Sequence, residues 1–268
     1  MKRSSGVLLH ITSLASRYGI GTLGAAAHRF VDFLHAAGQS YWQVLPLGPT
    51  GFGDSPYQPS SVFAGNPYLI DLDDLCAEGL LSENDISELD ADNDTPRVDY
   101  GRLFAVRDSI LRRAFERFDV LNAEFTEFCE KNAYWLDNWA VYDALKRENG
   151  MRPWTEWDAD IRMRMPDAIK AAEARLGTEI LFSRFKQFQF EKQWSRLREY
   201  AASRGVKIIG DIPIYASLDC SDVWSERGQF LIDEQGKPSA VAGVPPDAFS
   251  ETGQKQTNLP PGILRPSE

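Results

Sequence analysis

Five consecutive residues, Asp54-Ser55-Pro56-Tyr57-Gln58, bring a carboxylate, a hydroxyl, a phenol and a primary amide into one short stretch. A second carboxylate, Asp211, follows an apolar run that begins at Val206, with Pro213 and Tyr215 just behind it. Phe249 stands in a further Gly/Pro-rich stretch, Val241 to Gln254. These stretches mix aromatic rings with carboxylates, hydroxyls and amides and contain no basic cluster. Such a mixture suits a neutral polyhydroxylated ligand. Rings cover C–H faces while carboxylates and amides take the hydroxyls. A plainer reading also stands, in which Asp54 and Ser55 make turns and Tyr57 packs on the scaffold.

Other chemistries find less support. The letters GIGTLG (Gly19, Gly21, Gly24) imitate a dinucleotide fingerprint between a candidate strand and a candidate helix. That fingerprint needs a tight turn directly off the strand, and no acidic residue ends the next strand, which closes on Pro46. His28 and His35 lie seven apart on one helix face, as solvated residues commonly do. His10, at a strand's carboxyl end, is open between packing and a site. Cys76, Cys129 and Cys220 fit neither a CxxC pair nor an even disulfide set, so zinc is disfavoured and a reducing cytoplasm is expected.

The 29 Lys and Arg against 39 Asp and Glu give a net charge of −10. This argues against a nucleic-acid binder, which normally carries a basic patch or stripe, and against attraction to an anionic membrane surface. No apolar run reaches the ~20 residues of a membrane span. Lys2-Arg3 before Val7-Leu8-Leu9 imitates a leader peptide, but His10, Thr12 and Ser13 cut the apolar core short.

The elements that must position these residues read as α/β. Gly6 to Ile11 and Tyr41 to Pro46 suit strands buried on both faces. Ala25 to Ala37 between them has helical spacing and stops at Gly38, which makes a βαβ unit. Gly48 to Pro67 is a long loop with Phe52, Tyr57 and Phe63. Residues 74–205 are expected to be mostly helical, with a capping box at Ser82 to Asp85 and helix-period runs at Tyr100 to Phe118 and Ile180 to Ser203. Val206 to Tyr215 is expected as a third buried strand with Asp211 at its carboxyl end, where such folds assemble sites. The expected division is 1–73, 74–205, 206–254 and a divergent, disordered tail 255–268.

The stretches GVLLHITSL, YWQVLPLGPTGFGDSPYQPSSVFAGNPYLIDL, GDIPIY and VAGVPPDAFSETGQ, in this order, closely resemble the 4-α-glucanotransferases, or amylomaltases. The resemblance runs from about Ser5 to Gln254. It implies a (β/α)8 TIM-type barrel of the α-amylase clan with an inserted helical subdomain. It implies retaining transfer of α-1,4-glucan segments between maltooligosaccharides, with no cofactor and no metal. By this resemblance Ser55 and Tyr57, with Asp54 and Gln58 beside them, belong to the substrate loop after the second strand. Asp211, with Pro213, lies beside the reacting sugar as a supporting residue. Val244 to Gln254, including Asp247, Phe249 and Gln254, resembles a loop that closes over the glucan. Phe52 and Ala248 stand where many members have Tyr.

Retaining transfer needs two carboxyl groups about 5–5.5 Å apart across the scissile bond. After Gln254 the sequence departs from the family pattern, and the family positions of the nucleophile and the acid/base have no counterpart. The expectation is therefore an incomplete barrel, truncated before the catalytic pair and inactive alone. Two alternatives accompany it: a non-catalytic glucan-binding module, and a fragment complemented by a separate carboxyl-terminal chain.

Overall fold

A computed structural model describes residues 3–51, 53–89, 97–233, 235–240, 243–246, 254–255 and 258–259. The chain begins with β1 (Gly6–Leu8), α1 (Ala25–Ala36) and β2 (Tyr41–Gln43). Helices follow: α2 (Leu72–Ala77), α3 (Glu83–Ile86), α4 (Tyr100–Glu116), α5 (Ala123–Glu148), α6 (Ala159–Arg162), α7 (Pro166–Arg175) and α8 (Gly177–Ser203). Then come β3 (Lys207–Ile209), β4 (Ala216–Ser217), α9 (Ser221–Ser225), β5 (Gly243–Val244), β6 (Gln254–Lys255) and β7 (Asn258–Leu259). Two compact units share them. One comprises Met1–Leu47, Gly65–Lys131 and Arg184–Asp211; the other comprises Gly48–Ala64, Asn132–Ser183 and Ile212–Glu268.

The first unit is built on a parallel sheet in the order β1-β2-β3, with Val7 opposite Trp42 and Trp42 opposite Ile208. The ladder continues past the strands, as Leu9 N donates to Gln43 O (3.0 Å) and Val44 N to Ile209 O (3.0 Å). Gly6 is required here, because a Cβ at that position would strike the Tyr41 backbone. Trp42 in the central strand is fully buried and donates from Nε1 to Leu9 O at 2.8 Å.

The strands are shorter and less buried than their apolar sequences predict. The flanking strands bury only their middle residues most deeply, leaving Leu8 57% and Ile209 42% exposed. The run from Val206 to Tyr215 does not continue as one strand. It ends at Ile209, and Ile212 and Ile214 are 75% and 73% exposed. Pro213 has no N–H for a ladder bond, and Gly210 weakens strand pairing ahead of it.

The chain between Gly65 and Asp71 is largely buried and carries its polar backbone inward. Two buried amides of α8 satisfy it. Gln187 accepts from Gly65 N (2.7 Å) and donates to Gly65 O (3.0 Å). Gln193 accepts from Asp71 N (2.6 Å) and donates to Asp71 O (3.1 Å). The fully buried Arg107 of α4 donates to the carbonyls of Tyr68 and Ile70, and burial holds its pKa down at about 10. Asp71 itself caps α2 through Asp74 N (3.1 Å) and accepts from the Thr22 hydroxyl at 2.5 Å.

Helix α4 buries Leu103, Arg107, Ile110, Leu111 and Ala114, a spacing of three to four residues that marks one face. Asp99 caps it by accepting from Arg102 N at 2.9 Å. The capping box expected at Ser82 to Asp85 forms at the start of α3, where Ser82 N donates to the Asp85 carboxylate at 2.8 Å. Phe118, Phe125, Phe185 and Phe188 pack ring against ring, with centroids 4.9–5.8 Å apart.

The second unit has the helices α6, α7 and α9, most of α5, and two short antiparallel pairs, β4 with β7 and β5 with β6. Its core is indole-rich. Tyr142, Trp157 and Trp224 lie within 5.8 Å of one another by ring centroid. The Arg164 guanidinium sits 4.2 Å from the Trp224 ring.

Two glutamines of α8 should respond oppositely to substitution. Gln193→Ala strips the partners from a buried N–H and a buried C=O, and should cost about 2–4 kcal/mol in urea unfolding. Gln189 is fully buried with neither amide atom hydrogen-bonded. Gln189→Leu should be neutral or stabilising. A loss of more than about 1 kcal/mol in that variant would contradict this account of the packing.

Candidate functional site

In the first unit the carboxyl ends of β1 and β3 each deliver a titratable group. Two residues beyond β1 stands His10, partly buried, with Nδ1 enclosed and without a hydrogen-bond partner. Burial pushes its pKa below the ordinary 6.5, which favours the neutral imidazole. Two residues beyond β3 stands Asp211, partly exposed. Both positions follow from strand direction: parallel strands send their carboxyl ends to one edge of the sheet. Among the described residues no cluster of His, Cys, Asp and Glu could hold a metal ion.

In the second unit the loop 48–64 is folded on itself. Thr50 and Pro59 form an antiparallel bridge, and Ser60 N donates to Pro49 O at 3.0 Å. The tip reverses through Gly53 (φ +88°) and Asp54 (φ +54°), with Asp54 N on Gly51 O at 3.1 Å. Asp tolerates this left-handed backbone better than most residues. Ser55 then organises the next turn. Its carbonyl accepts from Gln58 N (3.2 Å) and its Oγ from Tyr57 N (3.3 Å). The loop therefore holds Asp54, Ser55, Tyr57 and Gln58 together, with the Tyr57 side exposed to 43%. Desolvation raises the pKa of the Asp54 carboxyl.

Asp222 of α9 fixes the return of this loop. Its Oδ2 accepts from Val62 N at 2.9 Å, and Ser221 N donates to Ser60 O at 2.9 Å. Burial pushes the Asp222 carboxyl up, offset in part by the Val62 N–H. The segment leading into α9 is fixed in turn by Asp219. That carboxylate accepts from the Tyr142 hydroxyl (2.9 Å), Trp154 N (3.2 Å) and Lys146 Nζ (2.5 Å). Lys146 also donates to the carbonyls of Met151 and Arg152, and Trp154 Nε1 donates to Leu218 O at 2.7 Å.

Not every residue singled out in the sequence can be placed. Pro213 lies in the second unit, beside Ile214 and Tyr215. Gln254 pairs through its backbone with Val244. Asp247 and Phe249 lie outside the described residues, as do Phe52 and Ala248 and most of the segment 255–268. Sequence reasoning did not single out Asp219, Lys146, Tyr142 or Asp222. A signal for the first group existed, since Tyr142 and Lys146 stand four apart on one helix, as two donors to a common acceptor would.

The parallel sheet with its crossover helix α1 is what a segment of a (β/α)8 barrel presents, and the comparisons agree. Residues 9–260 match the model of glycoside hydrolase family 77, described as 4-alpha-glucanotransferase, and the chain belongs to that family. It is similar to the 4-alpha-glucanotransferase of Clostridium butyricum, 44% identical over 92% of this chain and 51% of the relative. The corresponding Synechocystis enzyme is 46% identical over 94% and 51%, and that of Thermus thermophilus 45% over 96% and 52%. The amylomaltase of Streptococcus agalactiae, solved with acarbose, superposes with a TM-score of 0.92 at 41% identity, over 97% of this chain and 53% of that one. The chain thus spans about half the length of the curated relatives it matches.

Two measurements test these assignments. Asp219→Ala leaves the nearly buried Lys146 ammonium without its counter-charge and should cost about 3 kcal/mol of stability. Asp219→Asn, which keeps two acceptor contacts, should cost less. His10 has a folded pKa below its unfolded value, so the unfolded state binds the extra proton first. Its penalty is absent above pH ~6.5 and grows as pH falls below it. His10→Gln should therefore lose less stability between pH 7 and pH 5 than the native chain. Equal losses would remove His10 as the cause.

Proposed function

We propose that this chain carries the glucan-binding loops of a 4-α-glucanotransferase, and that the whole enzyme moves α-1,4-glucan segments between maltooligosaccharides by a retaining double displacement. The observation that carries this is Asp211, held just beyond a parallel strand in a chain whose family match runs from residue 9 to 260. In this reading Asp211 supports the reacting sugar through its hydroxyls. Ser55 and Tyr57, with Asp54 and Gln58 in the same turn, contact the glucan. Asp247, Phe249 and Gln254 belong to the loop that closes over it, and Pro213 is a further substrate contact.

A retaining displacement needs a nucleophilic carboxylate and a carboxylic acid on opposite sides of the glycosidic bond. Within three residues after β1, β2 and β3 there is one carboxylate, Asp211. In this reading the nucleophile and the acid/base belong to the part of the curated relatives that this chain does not span. In isolation the chain binds glucan and does not turn it over. Its cysteines are thiols, which fits a reducing cytoplasm.

Maltotriose incubated with the purified chain should yield neither glucose nor longer oligosaccharides, while maltoheptaose should bind saturably. Tyr57→Ala should weaken that binding about tenfold, the loss of one ring from a sugar face. Glucose release would refute the assignment of the catalytic pair to the part of the relatives that this chain does not span. A folded chain that ignores maltoheptaose would refute the glucan reading itself.

A further inference from the structure

The letters GIGTLG, which imitate a dinucleotide fingerprint, lie in the connection from β1 to α1, and the structure gives the glycines another use. A Cβ on Gly21 would strike Ile11 O, and one on Gly24 the Asp71 carboxylate. The amino end of α1 therefore faces a carboxylate and is closed to a phosphate. The same connection nevertheless forms one wall of a cavity of about 890 Å³ in the first unit. Arg17 of this connection, Arg29 of α1 and Arg97, just ahead of α4, all line it. Among the described residues no Asp or Glu lines it, in a chain whose net charge is −10.

The guanidiniums stand differently. Arg17 is fixed: Nη1 donates to Glu83 at 3.0 Å, Nη2 to Asp73, and Nε to the Tyr18 hydroxyl at 3.3 Å. Arg29 is exposed and makes no hydrogen bond or ion pair among the described residues. Arg97 is exposed as well. A fourth guanidinium lies deeper. The buried Tyr18 ring has Arg17 at 5.4 Å from its centroid and the fully buried Arg107 at 5.8 Å. Arg107 bonds to carbonyls, its Nε and Nη1 are enclosed without partners, and Asp71 is the carboxylate whose charge reaches it. A buried cation held mainly by neutral groups keeps part of its field for what lies nearby. The wall itself is ordered. Gly21 N donates to Thr12 O (3.0 Å), Ser16 Oγ to Ile20 O (2.7 Å) and Tyr18 N to Ser16 Oγ (3.0 Å).

Guanidiniums arriving from separate elements suit a phosphate group, which offers three terminal oxygens and up to two charges. A carboxylate offers two oxygens and one charge. The volume falls within the roughly 300–1,000 Å³ of small-molecule pockets, far more than a lone phosphate fills. Thr12, Ser13 and Tyr100 also line the cavity and present hydroxyls to the rest of such a ligand.

We propose that this cavity binds a phosphate monoester of a small sugar, with Arg29 and Arg97 on the phosphate, Arg17 as the fixed edge, and hydroxyl-bearing side chains on the sugar. The site does not rest on the glucan reading above and takes an anionic ligand where that reading takes a neutral one.

The test is calorimetric titration of the full chain with glucose 6-phosphate, with inorganic phosphate and glucose as the two controls. Glucose 6-phosphate should bind saturably and more tightly than either control. Arg29→Gln and Arg97→Gln should each raise its Kd about tenfold, as the loss of one charge-assisted contact. Both positions are exposed, so circular dichroism should be unchanged. An unchanged Kd in both variants would overturn the assignment to this cavity. Inorganic phosphate binding as tightly as the ester would overturn the sugar half of the proposal, and glucose binding as tightly would overturn the phosphate half. No binding by the folded native chain would overturn the site altogether.

Discussion

A buried loop must find partners for its peptide groups, and in the first unit that requirement organises much else. Residues 65–71 run through the interior, where water cannot satisfy them. Helix α8 answers with the amides of Gln187 and Gln193, each both accepting and donating, as a neighbouring strand would. Arg107 of α4 adds charge-assisted bonds to two of the carbonyls. Once Asp71 is fixed in this way, its carboxylate starts α2 and holds Thr22, just ahead of α1. A Cβ on Gly24 would collide with that carboxylate, so the residue before α1 has to be glycine. The βαβ unit that places His10, and whose β2 pairs the strand ahead of Asp211, is thus tied to polar bonds as much as to apolar area.

The second unit solves a comparable problem with one carboxylate. Asp219 gathers a phenol, an ammonium and a backbone N–H, and each of them comes from the helical region between residues 142 and 154. Three donors offset the desolvation of a partly buried carboxylate, while the Lys146 ammonium gains the partner its burial demands. Asp222, three residues on, performs the next step by holding the loop that bears Phe63. Position is handed along the backbone from a scaffold charge to an exposed ring.

Local patterns in the sequence were legible where local physics decides them. The apolar runs at Gly6, Tyr41 and Val206 do become parallel strands, the Ser82 capping box forms, and α4 follows its apolar spacing. Strand extent was not legible, since Gly210 and Pro213 end pairing inside a run that hydrophobicity alone would extend to Tyr215. The turn that joins Asp54, Ser55, Tyr57 and Gln58 could be read from its Gly, Pro and Asp content. The ring contacts of Phe63 with Tyr134 and Trp135 could not. Helix α5 carries aromatic and aliphatic residues on more than one face, so spacing does not separate Tyr134, which meets water, from the buried Leu136 and Trp139. The Asp219 hub joins residues more than sixty apart in sequence, and the four-residue spacing of Tyr142 and Lys146 marks two donors without naming their acceptor.

A net charge of −10 bears on how such a protein can hold a ligand at all. Long-range attraction favours cations and repels anions, and for a neutral sugar it does neither. Affinity must then come from short-range terms: ring faces on C–H surfaces and hydrogen bonds that replace those to water. Each such term is small after desolvation, so one turn of four polar residues supplies only modest binding. Several rigid, separated contacts along an extended ligand gain more, because the second contact forms at the high effective concentration set by the first. The loop 48–64, bridged at Thr50 and Pro59 and held at Val62 by Asp222, is ordered by its own contacts and so has less entropy left to lose to a ligand.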